Sequence, residues 1–553
     1  MAYDLVIRNG LVVDGSGSAA RRADIAVADG AIAEIGQLSD GGRREIDASD
    51  LVVAPGFIDH HTHYDAQICW DPTTSCSPWH GVTSVVMGNC GVGLAPCRPE
   101  AREIAAWDLV NVEAIPFEVL SAGITWDWES FPEYMDAAAR RGSGINLGFM
   151  AALTPFRHYV MGEESMEREA SADETAQIAE LLRGAMGAGA LGFSTTFGPQ
   201  HIGYQGRPLA CRQASRDEIR AYCGVLRELG KGTIELNLNA RPGEVDAEEQ
   251  ELIELFMDAS ERPVTWLAML VRDDKPELCR ATLEQTKPLL DRGARPQISC
   301  RPFIMQVSLS NPFAFASQPA WQSVFNKTTE EQLRIYRDPA FRESVRRTTN
   351  AGFLKRLDVQ HVTDESQRSL VGRTVHEIAR ERGAHPVDTL LDVAIEGELE
   401  VDFSMEALNT HEDELARLIR HDQTLIGLSD GGAHVDQLCD AGYCTYLLGH
   451  WVRDKQVLSL ERAVERITSE PADFFGLHDR GRIAVGKAAD FAIFDMQTVG
   501  SDRRPEMRHD LPAGGRRMVM QARGMQYTIV NGKVLFEDQK HTGALPGQVL
   551  RSS

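Results

Sequence analysis

Two histidines and a cysteine follow two apolar segments near the start of the chain, where they are suited to bind one metal ion. His61 and His63 follow the apolar run of residues 51–58, and Cys90 follows the run of residues 82–87 in a glycine-rich turn. Alternate residues of a strand face the same side, so the two imidazoles should leave a strand end towards one point. Imidazole and thiolate both suit a borderline-soft ion such as zinc. These residues predict the first half of a metal site.

A carboxylate follows another apolar run much later in the chain. Asp430 comes directly after residues 425–428 and is followed by two glycines. Together with His61, His63 and Cys90 it would bind a zinc-like ion and leave a coordination position open for water. Two other interpretations stay open at this point: Asp430 as the cap of a following helix, and Cys90 as an inert buried thiol.

The middle of the chain alternates strand-like and helical segments, which favours a parallel sheet covered by helices. Its length suits an α/β fold of the (β/α)8 TIM-like barrel type over residues 55–478, with the site at the carboxyl ends of the strands. Residues 302–338 predict a long irregular insertion that shapes the pocket. The predicted strands are residues 145–149, 191–194, 233–236, 264–267 and 425–428. The predicted helices are residues 171–185, 216–229, 276–290 and 458–467.

The two ends of the chain differ from this middle part. Residues 1–54 and 479–553 consist of short apolar runs separated by turn sequences such as Asn9-Gly10 and Asp29-Gly30, which favour tight hairpins. The economical arrangement is one small β-sandwich domain that both ends build together.

Composition limits the classes of partner. The chain has 57 basic and 81 acidic residues and a formal charge of −24, so its surface repels nucleic acid and anionic membranes. Ten cysteines without a disulfide-framework spacing favour a reducing, cytoplasmic location. We therefore expect a small-molecule substrate, and the size of the chain is compatible with a symmetric homo-oligomer.

The chain resembles the metal-dependent amidohydrolase superfamily and, within it, the N-acyl-D-amino-acid deacylase (D-aminoacylase) branch. The resemblance covers nearly the whole chain, and its most specific part is the Gly-Asn-Cys-Gly block combined with the His-Thr-His segment. The segments that carry it are residues 55–63 (PGFIDHHTH), 79–93 (WHGVTSVVMGNCGVG), 189–195 (GALGFST), 429–431 (SDG) and 486–490 (GKAAD).

The resemblance implies that His61, His63, Cys90 and Asp430 are metal ligands and that Asp430 is the catalytic proton carrier. In the family, the ion lowers the pKa of a water molecule, the carboxylate takes its proton as the amide carbonyl is attacked, and the proton then passes to the leaving amine. Relatives hold a second ion with histidines at the ends of the fifth and sixth strands, but residues 233–241 and 263–270 contain no histidine. We expect a single ion, with zinc as its identity.

Other polar residues follow predicted strands and are candidates for substrate binding: His201, Glu235, Arg301 and His434. His434 could instead orient Asp430, and Arg301 could form a structural ion pair. The predicted function is metal-dependent hydrolysis of an amide C–N bond, with an N-acyl amino acid or related acylated amine as substrate. The alternatives are hydrolysis of a cyclic amide or lactone, decarboxylation or C–C cleavage on the same barrel, and an inactive scaffold without metal.

Overall fold

The computed structural model describes residues 3–238, 241–315, 318–325, 327–349 and 351–552. The chain forms two compact units, one from Met1–Arg301 with His411–Ser553 and the other from Pro302–Thr410. Some residues of the predicted segments lie outside the described ones: 1, 2 and 553 of the β domain, 239 and 240 of the fifth strand, and 316, 317 and 326 of the insertion. Among the helices in the described ranges, none is long and apolar enough to cross a membrane.

The first unit begins with short strands joined by turns. A two-residue turn joins the second and third strands, and both of its residues, Asp29 and Gly30, have positive φ (51° and 78°). This backbone matches the twist of a tight hairpin, so the predicted Asp-Gly turn is confirmed. The hairpin predicted at Asn9-Gly10 is wrong, because these residues lie inside the first strand, where its pairing with the second shifts register. The strands are β1 (Tyr3–Val12), β2 (Arg21–Ala28), β3 (Ala31–Gly36), β4 (Gly42–Asp47) and β5 (Val52–Pro55).

Strands and helices then alternate, as predicted. Ser171 and Ser215 cap two of the helices by accepting the backbone N–H of Glu174 and Glu218, so these helices begin where the sequence predicts. The strands are β6 (Phe57–Asp59), β7 (Val82–Met87), β8 (Asn146–Phe149), β9 (Ala151–Ala152), β10 (Gly192–Thr196), β11 (Thr233–Asn237), β12 (Val264–Leu267) and β13 (Arg295–Ile298). The helices are α1 (Arg102–Glu113), α2 (Phe117–Gly123), α3 (Phe131–Arg141), α4 (Leu153–Met161), α5 (Ala172–Ala188), α6 (Arg216–Leu229), α7 (Ala247–Ser260) and α8 (Leu278–Asp291).

The second unit has its own sheet and core. It is longer and more regular than the irregular insertion predicted for residues 302–338, because aromatic residues of that segment form a core. Phe315 stacks on Trp321 with ring centroids 4.1 Å apart, and Tyr336 packs beside them together with Phe341, which follows the segment. Its antiparallel sheet has the order β14–β16–β15. The elements are β14 (Phe303–Ser308), α9 (Thr329–Arg337), α10 (Pro339–Thr348), α11 (Ala351–Arg356), β15 (Asp358–Val362), α12 (Val375–Arg382), α13 (Pro386–Glu396) and β16 (Val401–Leu408).

The remainder of the first unit completes the parallel strands and returns to short strands. The elements are α14 (Glu412–Arg420), β17 (Leu425–Ile426), α15 (Tyr443–Tyr446), α16 (Leu460–Ile467), α17 (Ser469–Phe474), β18 (Phe491–Phe494), β19 (Gly500–Ser501), β20 (Glu506–Arg508), β21 (Arg517–Val519), β22 (Ala522–Arg523), β23 (Met525–Val530), β24 (Lys533–Glu537) and β25 (Lys540–His541).

Two parallel sheets position the site. One has the order β6–β7–β8 and the other the order β17–β13–β12–β11–β10–β9, and every neighbouring pair in both is parallel. A parallel bridge between Thr62 and Gly431 joins the segments that follow β6 and β17. The carboxyl ends of β6, β7 and β17, where the predicted metal ligands lie, therefore come close together.

Strands from the two ends of the chain share a third sheet. Its order is β25–β24–β23–β18–β5–β1–β2–β3, and β4 pairs with β1. Ile7 and Val53 from the start of the chain pack with Phe491 and Ile529 from its end in one apolar cluster. The division of the chain into domains at residues 54 and 478 stays a prediction.

Candidate active site

His61, His63 and Cys90 meet at the carboxyl ends of β6 and β7. His61 Nε2 lies 3.6 Å from Cys90 Sγ, and the three side chains each offer a ligand atom within 4.8 Å of the others. All three are buried. Within the described ranges no second trio of histidine, cysteine or acidic side chains comes this close.

Asp430 lies beside the two histidines. Its Oδ1 is 3.3 Å from His61 Nε2 and 3.8 Å from His63 Nε2, and its side chain is 20% exposed. The backbone N–H of His63 donates to the carbonyl of Gly431 at 2.7 Å, which fixes the Asp430 segment against the end of β6. Asp430 does not belong to the set of three donors whose ligand atoms all lie within 4.8 Å of one another.

Cys90 and Asp430 both occupy left-handed backbone, with φ of 55° and 48°. Such a conformation costs free energy for a residue with a Cβ, and it clusters at functional sites. Cys90 lies between Gly88 and Gly91. A Cβ at Gly88 would be 2.4 Å from the carbonyl oxygen of Met150, and a Cβ at Gly91 would be 2.9 Å from Cys211 Sγ. The glycines of the Gly-Asn-Cys-Gly block therefore allow the close packing that aims the thiol at the histidines.

Two of the separations between these donors match those expected for ligands of one tetrahedral ion. Nitrogen and oxygen ligands about 2.0–2.1 Å and sulfur about 2.3 Å from one ion are separated by about 3.3 Å (N to O) and about 3.6 Å (N to S). The observed separations are 3.3 Å from Asp430 Oδ1 to His61 Nε2 and 3.6 Å from His61 Nε2 to Cys90 Sγ. Burial lowers the pKa of His61 to about 3, so this imidazole is neutral, which is the form that binds metal.

Buried acidic groups surround the three donors. Burial raises the pKa of Glu235 to about 8 and that of Asp430 to about 7, and it also raises the pKa of Glu113. The pKa of the Cys90 thiol is raised by burial and then by the charges of Glu235 and Glu113. A cation would offset these charges and turn the thiol into a thiolate, as bound metal ions do. The residues therefore fit a divalent ion.

Glu235 and His201, two of the predicted substrate-binding residues, lie near Cys90. Glu235 Oε2 accepts the backbone N–H of Cys90 at 2.8 Å, and Oε1 has no hydrogen-bond partner among the described residues. Asn237 Nδ2 lies 3.5 Å from Cys90 Sγ and 3.4 Å from His201 Nε2. Burial lowers the pKa of His201 to about 3, with His434 and His61 among the charges that contribute. The structure thus brings both residues to the site.

His434 also reaches the site. It follows Asp430 on left-handed backbone (φ 47°), and its N–H donates to the backbone carbonyl of Glu113 at 2.5 Å. Its Nδ1 is buried and forms no hydrogen bond within the described part of the chain. Burial lowers its pKa to about 4, so the ring is neutral.

Arg301 requires a correction. Its Nε donates to Asp440 at 3.1 Å, its Nη1 donates to Ser501 at 2.6 Å, and the guanidinium lies over the ring of Tyr446 at 4.9 Å. The side chain is 1% exposed. These contacts occupy the donors that would have paired with a substrate carboxylate, so the geometry assigns Arg301 to a buried ion pair and not to substrate binding.

Glu113 is a site residue that the sequence analysis missed. It is the last residue of α1 and is buried, and its Oε1 lies 3.2 Å from His63 Nδ1. A carboxylate at the carboxyl end of a helix opposes the helix dipole. That unfavourable placement is the one sequence signal that could have drawn attention to it.

Comparison with known proteins relates this chain to hydrolases. A model of the amidohydrolase family matches residues 44–536. The D-aminoacylase of Alcaligenes xylosoxydans is 29% identical over 552 residues, which is 99% of this chain and 97% of that protein. The structure of a D-aminoacylase with a binuclear metal centre is similar to 99% of this chain over its own full length, with 26% identity and a TM-score of 0.67. That enzyme is described as activated by one metal and attenuated by a second. The structure of the N-acyl-D-glutamate deacylase of Bordetella bronchiseptica was solved with zinc and a phosphonate inhibitor. Its match extends over all of both chains, with 23% identity and a TM-score of 0.68.

Proposed function

The chain belongs to the amidohydrolase family, and from this premise we propose that it removes the acyl group of N-acyl-D-amino acids by hydrolysing their amide bond. The observation that carries the proposal is the convergence of His61, His63, Cys90 and Asp430 at adjoining strand ends. The likeness to D-aminoacylase, which extends over 99% of the chain, supports this substrate class.

One divalent ion, with zinc as the best match to the donors, would be held by His61, His63, Cys90 and Asp430. When bound, such an ion supplies a Lewis acid that polarises the amide carbonyl and activates water. A single ion is supported by the strand-five and strand-six segments, which carry no histidine in the sequence. It is also compatible with the one-metal activation described for the D-aminoacylase with a binuclear centre.

Asp430 is the proton carrier in this proposal. Its carboxylate lies within 3.8 Å of both imidazoles and remains partly exposed, so it can meet a substrate at the opening of the site. Burial raises its pKa to about 7, and a bound ion would lower that pKa again, so the carboxylate would be ionised and able to take a proton from the attacking water and return it to the leaving amine. His201, Glu235 and His434 would line the substrate.

We also infer that the parallel strands close into a (β/α)8 barrel. Counting β8 and β9 as one interrupted strand, the two parallel sheets supply eight strands, and the bridge from Thr62 to Gly431 lies where the first would meet the last. Residues 1–54 and 479–553 would form the small β domain, which is supported by their shared sheet.

Substrate assays test the proposal. Zinc-loaded protein is given N-acetyl-D-amino acids, their L-enantiomers, cyclic imides, lactones and aromatic carboxylates, with the chelator-treated protein and Asp430→Asn as controls. We expect amine release from the D-series alone, lost on chelation and restored by zinc. Turnover of the cyclic or aromatic compounds instead would assign a different reaction to the same residues. Protein that holds less than about a tenth of an equivalent of metal after zinc loading would be an inactive scaffold.

A further inference from the structure

Glu113 and His63 present two unpaired polar atoms to each other. His63 Nδ1 and Glu113 Oε1 lie 3.2 Å apart, and neither atom has a hydrogen-bond partner elsewhere among the described residues. The other ring nitrogen, Nε2, faces Asp430 at 3.8 Å. The two nitrogens of His63 therefore face different groups: Nδ1 a buried carboxylate, and Nε2 the proposed metal position.

The backbone of Glu113 supports the same region. Its carbonyl accepts the N–H of His434 at 2.5 Å, and the N–H of His63 donates to the carbonyl of Gly431 at 2.7 Å. The end of α1, the end of β6 and the segment that carries Asp430 are thus linked in one short ring of contacts. A change at Glu113 acts on the orientation of His63 first.

The position of Glu113 is otherwise unfavourable. It is 2% exposed and ends a helix, where the helix dipole acts against a negative charge and burial removes its hydration. An apolar residue would be more stable there if packing alone mattered. Imidazoles that bind metal commonly donate their second N–H to a carboxylate, which fixes both the tautomer and the direction of the ring.

We propose that Glu113 is the positioning residue of the metal site: its carboxylate accepts the Nδ1–H of His63, which leaves the Nε2 lone pair free and directed at the ion. The inference rests on the proposed function, because it takes His63 as a ligand. It adds a residue that holds the ligand without touching the ion or the substrate.

Zinc affinity tests this role, measured by competition with a chelator of known affinity on the full-length protein. We expect Glu113→Ala to bind zinc about 10- to 100-fold more weakly and Glu113→Gln, whose amide oxygen can still accept the Nδ1–H, to recover most of that loss. Asp108→Ala is the matched control. Asp108 lies on the same helix, is equally buried, and pairs with His158 Nε2 at 3.0 Å, away from the metal ligands. It should lower the unfolding temperature and leave zinc affinity unchanged.

The outcomes separate this inference from the proposed function. Wild-type protein that binds no zinc overturns both. If wild-type protein binds zinc and Glu113→Ala binds it equally well, or no more weakly than Asp108→Ala does, the role of Glu113 is overturned and the proposed function is not. If Glu113→Ala does not fold, the ring nitrogen of His63 that carries the proton is determined from ¹⁵N chemical shifts of zinc-bound protein labelled with ¹⁵N-histidine. The His63 signals are assigned as those that are missing in His63→Gln. A proton on Nδ1 supports the inference, and a proton on Nε2 overturns it.

Discussion

Cys90 Sγ lies 3.6 Å from His61 Nε2, although the two residues end different strands. Parallel pairing of β6 with β7 brings the strand ends together, and left-handed backbone at Cys90 turns its thiol towards the imidazole. The contact therefore depends on both the sheet register and the glycine-rich turn. It is the part of the site in which a soft donor distinguishes zinc from a harder ion.

Replacing Cys90 should remove the metal. We expect Cys90→Ala to fold, to retain less than about a tenth of an equivalent of zinc and to lose deacylation, because a thiolate ligand is lost. Elemental analysis and amine release measure this. Cys223→Ala, which alters a buried thiol of α6, is the control and should keep wild-type zinc. Full zinc content in Cys90→Ala would leave Cys90 as a packing residue.

Asp430→Asn should reduce turnover much more than zinc content. Loss of the proton carrier should lower kcat by about 10²- to 10⁴-fold, while His61, His63 and Cys90 still hold the ion. Formate added to the assay should restore part of the rate, since it supplies a small carboxylate. A kcat within about tenfold of wild type would assign the proton transfer to another group.

Stability should depend on pH through Asp65. Burial raises its pKa to about 7 in the folded chain, whereas the unfolded chain has an ordinary value of about 4. The folded state binds more protons between these values, so this group stabilises the fold at low pH, and its contribution is lost as pH rises through about 7. The unfolding free energy of wild type minus that of Asp65→Asn, measured on chelated protein, should therefore become less positive from pH ~5 to ~8. A difference that grows instead would contradict the raised pKa.

Arg301 should matter for stability and not for substrate affinity. Arg301→Ala leaves Asp440 buried without its partner, which typically costs about 3–5 kcal/mol. Thermal unfolding should show the loss, while KM of the folded fraction stays at the wild-type value. Asp440→Ala should cost a similar amount, and the double variant less than the sum. A raised KM with unchanged unfolding temperature would restore Arg301 as a substrate ligand.

His201→Ala should weaken substrate binding without removing the ion. His201 lies next to Asn237 but outside the trio of metal donors. Loss of one hydrogen bond to the substrate, worth about 0.5–1.5 kcal/mol, should raise KM by about two- to tenfold. Zinc content should equal that of His541→Ala, a control in β25 at the chain end. Lost zinc in His201→Ala would make His201 a ligand.

The local pattern of the sequence was enough for much of the site. His61, His63 and Cys90 were predictable because each directly follows an apolar strand, and Asp430 follows another strand in the same way. The helices at Ser171 and Ser215 were predictable because capping boxes are local. What these residues share is that their placement depends on neighbours in sequence.

Glu113, Arg301 and the second unit depend on contacts between distant parts of the chain. Glu113, the last residue of α1, reaches His63 from about 50 positions later in the chain, and Arg301 meets Asp440 139 positions later. The 302–338 segment looked irregular because the core that its aromatic residues join also contains residues from later in the chain, such as Val401 and Phe403. Periodicity carries no information about such pairings.

The hydroxyl of Ser429 donates to Asp59 at 2.5 Å across 370 positions of the chain. At equilibrium this separation costs little, since loop-closure entropy grows only with the logarithm of length. During synthesis it matters more: at about 10 residues per second, on the order of half a minute separates Cys90 from Asp430 at the ribosome. For that time the newborn chain carries the thiol and both imidazoles without the carboxylate, so the complete set of four donors can form only after the last parallel strand has been made.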